Sequence, residues 1–245
     1  MNTLYRERTD NGSSEFMSYL IELNAEPGKR LPPINELAVL LGISSGKLRE
    51  QLEVARELGL VDVRPKTGIR VRAFSFFPTV RAGLGFALAL DRSYFDQYSR
   101  LRNQIEASFW HEAVELLRAD DKVYLQKLMD SAWTKLEGEP VQIPHSEHRE
   151  LHLTIFSRLN NAFVLGLLEA YWEAYEAVGL NRYEDYAYLH EVWTYHGRMV
   201  DAIHNAEFDK GHQALIEHTA LLRTRPRIQG FPNVPGSEGT RWPAK

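Results

Sequence analysis

The 245-residue sequence contains no cysteine. This excludes disulfide scaffolds, thiolate metal ligands and cysteine catalysis, and it fits a reducing compartment. Long apolar runs are also lacking, because the longest uncharged stretches, around 82–90 and 159–168, fall well short of the roughly 20 apolar residues that span a bilayer. Residues 1–16 are polar and do not form the apolar region of a secretory signal. We therefore expect a cytoplasmic protein with no membrane partner.

The chain has no large excess of charge of one sign, since its net charge is −4. Residues 1–75 contain 11 Lys and Arg against 10 Asp and Glu, whereas the remainder contains 18 against 23. Within the first part, residues 63–72 hold four basic side chains and no acidic one. A run of this kind is either a solvated face or a nucleic-acid contact, and composition alone does not separate the two. The hydrophobic content of 44% is typical of a globular protein with a sizeable core.

Residues 1–75 have frequent turn-forming residues between short periodic segments. Helical spacing of apolar residues predicts one helix near 16–23, a second between Pro33 and Gly42, and a third that Ser44 caps and Gly59 ends. Alternation on both sides of 65–68 predicts two short strands joined by a basic turn. The order helix, helix, tight turn, helix, β-hairpin is typical of a winged helix-turn-helix.

After residue 76 the segments lengthen, and the periodicity predicts seven helices. They lie at roughly 78–90, 93–118, 121–137, 145–158, 161–179, 186–205 and 209–223. The predicted fold is mainly α, with a winged helix-turn-helix of three helices plus a β-hairpin followed by an all-α bundle of about seven helices. The corresponding domains are 1–75 and 76–224, with an irregular tail at 225–245 that is rich in proline and glycine.

Four histidines of the second part have spacings that suit a metal. His148 and His152 are four residues apart and share one face of a predicted helix. His196 and His218 lie 11 residues before and after Glu207, the centre of a predicted helical hairpin, so they come level with each other. Other histidines straddle the same turn, which makes the symmetry a weak signal by itself. The spacing nevertheless predicts that these four imidazoles meet.

Residues 27–71 resemble the DNA-binding domain of the GntR superfamily of bacterial transcription regulators. The matching residues, which keep the order and spacing of the family, are Pro27-Gly28, Leu31-Pro32, Glu36-Leu37-Ala38, Leu41-Gly42-Ile43-Ser44, Leu48-Arg49-Glu50, Leu58-Gly59-Leu60 and Gly68. The resemblance implies that the third helix enters the major groove and that the wing tip lies along the minor groove. The residues expected to contact DNA are Asn35, Ser44, Ser45, Lys47, Arg49, Lys66, Thr67 and Gly68.

Several positions depart from the GntR pattern. The family commonly has arginine where this chain has Ser45, and often where it has Asn35, while Gln51 replaces a small residue. Because bidentate arginine contacts discriminate between bases by about 1–3 kcal/mol each, the operator sequence cannot be copied from relatives. Lys47 is a candidate to take over part of the lost contact. For Arg49 the alternative to DNA contact is a surface ion pair with Glu53.

The region from about 100 to 222 resembles the FCD ligand-binding domain of the FadR subfamily of GntR regulators. Its metal motif, Asp-x3-His followed by two separate histidines, matches His148, His152, His196 and His218, with His148 at the aspartate position. The resemblance implies a divalent transition metal. An all-imidazole ligand set favours zinc, nickel or cobalt over manganese or magnesium. The alternative is a metal-free pocket lined by histidines.

The same resemblance implies an effector site. Arg102 and Glu106 match the Arg-x3-Glu of the family, which makes Arg102 a candidate clamp for a carboxylate. The alternative is an ion pair on the helix surface. Asn161 matches a family asparagine, although a helix N-cap explains it equally well. Aromatic residues that either line this site or fill the core are Phe109, Trp110, Trp172, Tyr175, Trp193 and Tyr195.

The two resemblances together imply a homodimeric regulator, more commonly a repressor, that binds a palindromic operator and a small organic acid in the bacterial cytoplasm. We do not expect an enzyme, because no HExxH or comparable catalytic motif appears. Two alternatives remain open. One is an architectural DNA-binding protein with a purely structural metal, and the other is a metalloenzyme fused to a winged helix.

Overall fold

A computed structural model describes residues 14–65, 67–180 and 185–224, with side chains up to 221. The described residues of the N-terminal part form three helices and one hairpin, in the predicted order. These are α1 (Glu15–Leu23), α2 (Ile34–Leu41), α3 (Ser45–Glu57), β1 (Val61–Arg64) and β2 (Gly68–Val71). The predicted tail at 225–245 and the wing residue Lys66 lie outside the described residues.

Local signals fix the ends of these helices. The Oγ atoms of Ser14 and Ser44 accept hydrogen bonds from the backbone N–H groups of Met17 and Lys47, and so they cap α1 and α3. Gly42 ends α2 with φ of 66°, a left-handed conformation that glycine adopts without steric cost. The tight turn between α2 and α3 therefore depends on two residues that are recognisable in the sequence, Gly42 and Ser44.

The hairpin and the helices of the N-terminal part share one small core. In the hairpin Val61 pairs with Val71 in antiparallel register, and the backbone of Gly28 and Leu31 bonds to the outer edge of β2. The side chains of Phe16, Leu37, Leu48, Leu52 and Ile69 are buried against one another. This packing holds α3 against α1 and α2 and leaves the opposite face of α3 exposed.

The second part is an all-helical bundle. Its members are α4 (Phe77–Leu90), α5 (Tyr94–Glu115), α6 (Ala119–Leu136), α7 (His145–Phe156), α8 (Ala162–Ala177), α9 (Tyr186–His204) and α10 (Phe208–Thr224). Each end lies within three residues of the sequence prediction, so the predicted fold class is confirmed. None of the helices in the described ranges is both long and apolar enough to cross a membrane.

Close packing brings α10 against α5. A Cβ atom at Gly211 would lie 2.5 Å from Cζ2 of Trp110, so only glycine permits this approach. The indole Nε1 of Trp110 also donates a 2.9 Å hydrogen bond to the carbonyl of Phe208 at the start of α10. The helical hairpin of α9 and α10 is thereby fixed against the bundle core, and this positions His196 and His218.

The start of α4 connects the two parts. A Cβ atom at Gly59, which ends α3, would lie 2.5 Å from Cγ of Pro78, and one at Gly166 on α8 would lie 2.5 Å from the backbone N of Phe77. The segment of Phe76 to Pro78 therefore lies in close contact with the end of α3 on one side and with α8 on the other.

Candidate metal centre

The structure brings together the four histidines that the sequence analysis selected. His148 and His152 project from α7, His196 from α9 and His218 from α10. One ring nitrogen from each lies within 4.8 Å of the other three. Three of the side chains are buried and His148 is partly buried, so the group lies inside the bundle.

The geometry of the ring nitrogens fits a bound transition ion. The Nε2 atoms of His152 and His196 are 3.2 Å apart. Two nitrogens bound to one tetrahedral zinc at its usual bond length lie about 3.3 Å apart. Among the described residues, His148 Nε2, His196 Nδ1 and His218 Nδ1 are buried with no hydrogen-bond partner. Buried polar atoms rarely stay unpaired, and a ligand in the cluster would supply a partner for nitrogens such as His148 Nε2 and His218 Nδ1.

Electrostatics favours the neutral form of the histidines. Burial lowers the pKa of His148, His196 and His218 well below its ordinary value, and the positive charges of neighbouring groups lower it further. Burial also lowers the pKa of His152, although Glu106 acts in the opposite direction. Neutral imidazole is the form that binds metal, so the cluster is ready for an ion at neutral pH without losing protons.

Arg102 and Glu106 lie directly behind His152. Their ion pair is 2.9 Å long, and the two side chains are 2% and 0% exposed. The pair is therefore the i, i+4 contact that the spacing predicts, but it is buried within the bundle and not on a helix surface. Burial opposes the charge on Glu106, yet Arg102 and then His152 outweigh it and hold the pKa of Glu106 below its ordinary value.

The Nδ1 atom of His152 contacts both members of this pair. It lies 2.9 Å from Nη2 of Arg102 and 3.2 Å from Oε1 of Glu106. Arginine only donates and a carboxylate only accepts, so the tautomer of His152 decides which contact is a hydrogen bond. A metal bound at Nε2 would leave the proton on Nδ1, which would then donate to Glu106, an arrangement common around metal-binding histidines. Sequence spacing did not reveal this contact.

Aromatic side chains of α8 complete the surroundings of the histidines. The ring of Trp172 lies 4.7 Å from that of His148, and its buried Nε1 has no hydrogen-bond partner among the described residues. The guanidinium of Arg102 lies 4.6 Å from the ring centre of Tyr171. Trp172 and Tyr175 were candidates from the sequence, whereas Tyr171 and His145, which stacks on Tyr175, were not selected.

Asn161, a candidate for the effector site by resemblance, lies at the start of α8. Its Oδ1 accepts hydrogen bonds from the backbone N–H groups of Phe163 and Val164, so it is the N-cap of α8. It precedes Trp172 by eleven residues, a separation of about 16 Å along a helix axis. The structure thus gives Asn161 the capping role that the sequence analysis kept as the alternative.

The residues predicted to contact DNA lie on α3, at the start of α2, at the N-cap of α3 and in the hairpin. Arg49 is exposed, and Glu53 pairs with Arg56 instead, so the alternative ion pair of Arg49 does not form. Asn35, Ser44 and Thr67 are also exposed, Ser45 is partly exposed, and Gly68 begins β2 with φ of 78°. Lys47 is half exposed but forms an ion pair with Glu15.

Comparisons with known proteins agree with this architecture. Residues 97–221, or 125 of the 245, match the FCD domain family. A protein of Escherichia coli K12, whose name describes an L-lactate dehydrogenase operon regulatory protein, is 25% identical over 233 residues, covering 91% of this chain and 88% of the relative. A Shigella flexneri protein of the same name has the same identity and coverage.

Among solved structures, a GntR protein of Streptococcus agalactiae superimposes with a TM-score of 0.62 and 19% identity. The alignment covers 85% of this chain and 95% of that one. This similarity supports the fold of both parts of the chain together.

Proposed function

The chain belongs to the FCD domain family and is a GntR-type transcription regulator, and on that premise we propose that a small carboxylate, bound beside a divalent metal in the bundle, controls its affinity for an operator. The observation that carries this proposal is the group of four histidines inside the bundle, with the buried Arg102 and Glu106 next to His152. The relatives are regulators and not enzymes, in agreement with the expectation from the sequence.

The residues that would hold the metal are His148, His152, His196 and His218. Four neutral imidazoles leave a divalent ion with its full double charge, and this would supply a positive site for an effector oxygen. The all-nitrogen ligand set favours zinc, with nickel and cobalt as alternatives. An aspartate at position 148 would cancel part of the metal charge, so with a histidine there the occupied centre would be more strongly positive.

We assign the carboxylate contact to Arg102. Its guanidinium lies against His152 and the ring of Tyr171, and among the described residues its Nε is buried without a partner. The unpaired Nε1–H of Trp172 provides a second buried donor on the same side of the histidines. Donors of this kind suit an anion, and the operon name of the E. coli relative agrees with a small organic acid.

The remaining assignments concern DNA. We propose that residues 1–75 form the DNA-binding domain and 76–224 the effector domain, and that two copies in the bacterial cytoplasm bind a palindromic operator as a homodimer. We further propose that the protein is a repressor released by its effector. Helix α8 can connect the effector site to the DNA-binding domain. It contacts the histidine group at Trp172 and the segment after the winged helix at Gly166.

The test of this function is DNA binding with and without acids. An operator duplex selected from a random pool should lose affinity about 5- to 150-fold with at least one small carboxylate, the usual range of allosteric coupling. L-lactate, pyruvate, citrate and acetate are the first probes, measured by fluorescence anisotropy. A chelator that strips the metal should remove this response. Operator affinity that is indifferent to every acid would favour the architectural alternative.

Arg49 is expected to contribute strongly to operator binding. Its side chain projects from the exposed face of α3 and has no ion pair within the described part of the chain, so it is free to contact a base edge. Arg49→Ala should weaken operator binding by about 1–3 kcal/mol, as for other bidentate contacts. Arg56→Ala on the same helix is the matched control, because Arg56 pairs with Glu53 and Glu57. Equal affinities for the two variants would contradict the assignment of α3.

A further inference from the structure

Glu15, the first residue of α1, contacts two residues of α3: Gln51, which departs from the GntR pattern, and Lys47. One carboxylate oxygen accepts a hydrogen bond from the ammonium of Lys47, and the other accepts one from the amide of Gln51. The carbonyl oxygen of Gln51 in turn accepts a 2.9 Å hydrogen bond from the backbone N–H of Phe16. Lys47 and Gln51 are therefore linked through one acidic residue on another helix.

The surroundings of Glu15 keep its carboxylate charged and in place. The hydrogen bonds from Lys47, from its own backbone N–H and from Gln51 lower the pKa of Glu15 to about 2. Its position in the first turn of α1 also favours a negative charge. The side chains of Glu15 and Lys47 are 41% and 51% exposed, so the pair lies at the surface where DNA would approach α3.

A free lysine at this place would bind phosphate. Lys47 lies in the first turn of α3, and a helix N-terminus attracts phosphate through its N–H groups and its dipole. A lysine contact with phosphate raises the affinity for any duplex, whatever its sequence, because it releases counterions. A nearby carboxylate that neutralises the lysine reduces this gain in affinity, but it does not affect contacts to base edges.

We propose that Glu15 is a specificity-determining residue, which rests on the proposed DNA-binding function. By holding the ammonium of Lys47, Glu15 lowers the affinity of the protein for non-specific DNA. Contacts to base edges then determine which sequence is bound. Gln51 is the positioning residue of this device, because its amide connects the carboxylate to the backbone of α1. Lys47 therefore does not replace the base contact of the missing arginine.

The test measures binding of the full-length protein to a duplex of random sequence at several salt concentrations. Glu15→Gln keeps the size of the side chain but removes its charge. The variant should bind the random duplex about two- to tenfold more tightly at physiological salt, and the slope of log K against log salt should steepen by about 0.9, one phosphate contact. The ratio of operator to random-duplex affinity should fall accordingly.

Two further variants separate the ion pair from other effects. Lys47→Met should leave the salt slope unchanged in the wild-type background but should cancel the steepening in the Glu15→Gln background. Gln51→Ala changes no charge but removes the amide that holds Glu15, so it should steepen the slope by less than Glu15→Gln does. An unchanged slope in Glu15→Gln, or a steepening that survives Lys47→Met, would overturn the inference alone. Absence of duplex binding by wild type and all variants would overturn the proposed function as well.

Discussion

Replacing His196 with alanine is expected to abolish metal binding and to remove the stability that the metal provides. His196 is fully buried and its Nε2 lies 3.2 Å from that of His152. An ion that binds only the folded state stabilises it by about 4 kcal/mol when present at a thousand times its dissociation constant. Elemental analysis should show one ion per wild-type chain and almost none in His196→Ala. Thermal unfolding with and without added zinc then gives the loss of stabilisation.

The variant also leaves a cavity in the bundle, so melting temperature alone does not separate metal loss from lost packing. The difference between zinc-loaded and chelated samples makes the separation, because the cavity affects both. His204→Ala is the matched control, since His204 lies two turns further along α9 and is exposed. A wild-type protein that takes up neither zinc nor nickel would contradict the metal site.

The winged helix was predictable because its signals are local. The caps Ser14 and Ser44 and the glycine that ends α2 act within one turn of the helix ends, and they are read directly from the sequence. The meeting of the four histidines was predictable for a related reason. One pair shares a helix face, and the other pair lies on neighbouring helices joined by a short turn, where position along the chain determines position in space.

Contacts between helices that are distant in the chain were not predictable. Glu106 and His152 are 46 residues apart on α5 and α7, and their contact depends on how these helices cross. Spacing suggested Arg49 as the alternative partner of Glu53, although Arg56 on the same helix can also reach it. The structure selects Arg56. Similarly, Glu15 meets Lys47 only because α1 packs across α3.

The second large effect is expected at Glu106. Glu106→Ala should lower the free energy of unfolding by about 3–5 kcal/mol, because it leaves the buried guanidinium of Arg102 without its carboxylate. The variant also removes the acceptor for Nδ1 of His152, which should weaken metal binding about 10- to 100-fold. Chemical denaturation of the chelated protein measures the first effect, and zinc titration measures the second.

A double variant distinguishes the charge of this pair from its packing. Replacing a whole buried ion pair with apolar residues of similar volume is often neutral or stabilising, so Arg102→Met combined with Glu106→Met should regain most of the stability that Glu106→Ala loses. The double variant should still bind operator, but no carboxylate should change its operator affinity, because the proposed clamp Arg102 is gone. A double variant as unstable as the single one would show that the loss comes from packing. A stable double variant that still releases DNA with an acid would show that Arg102 does not bind the effector, and would leave Trp172 and the metal as its contacts.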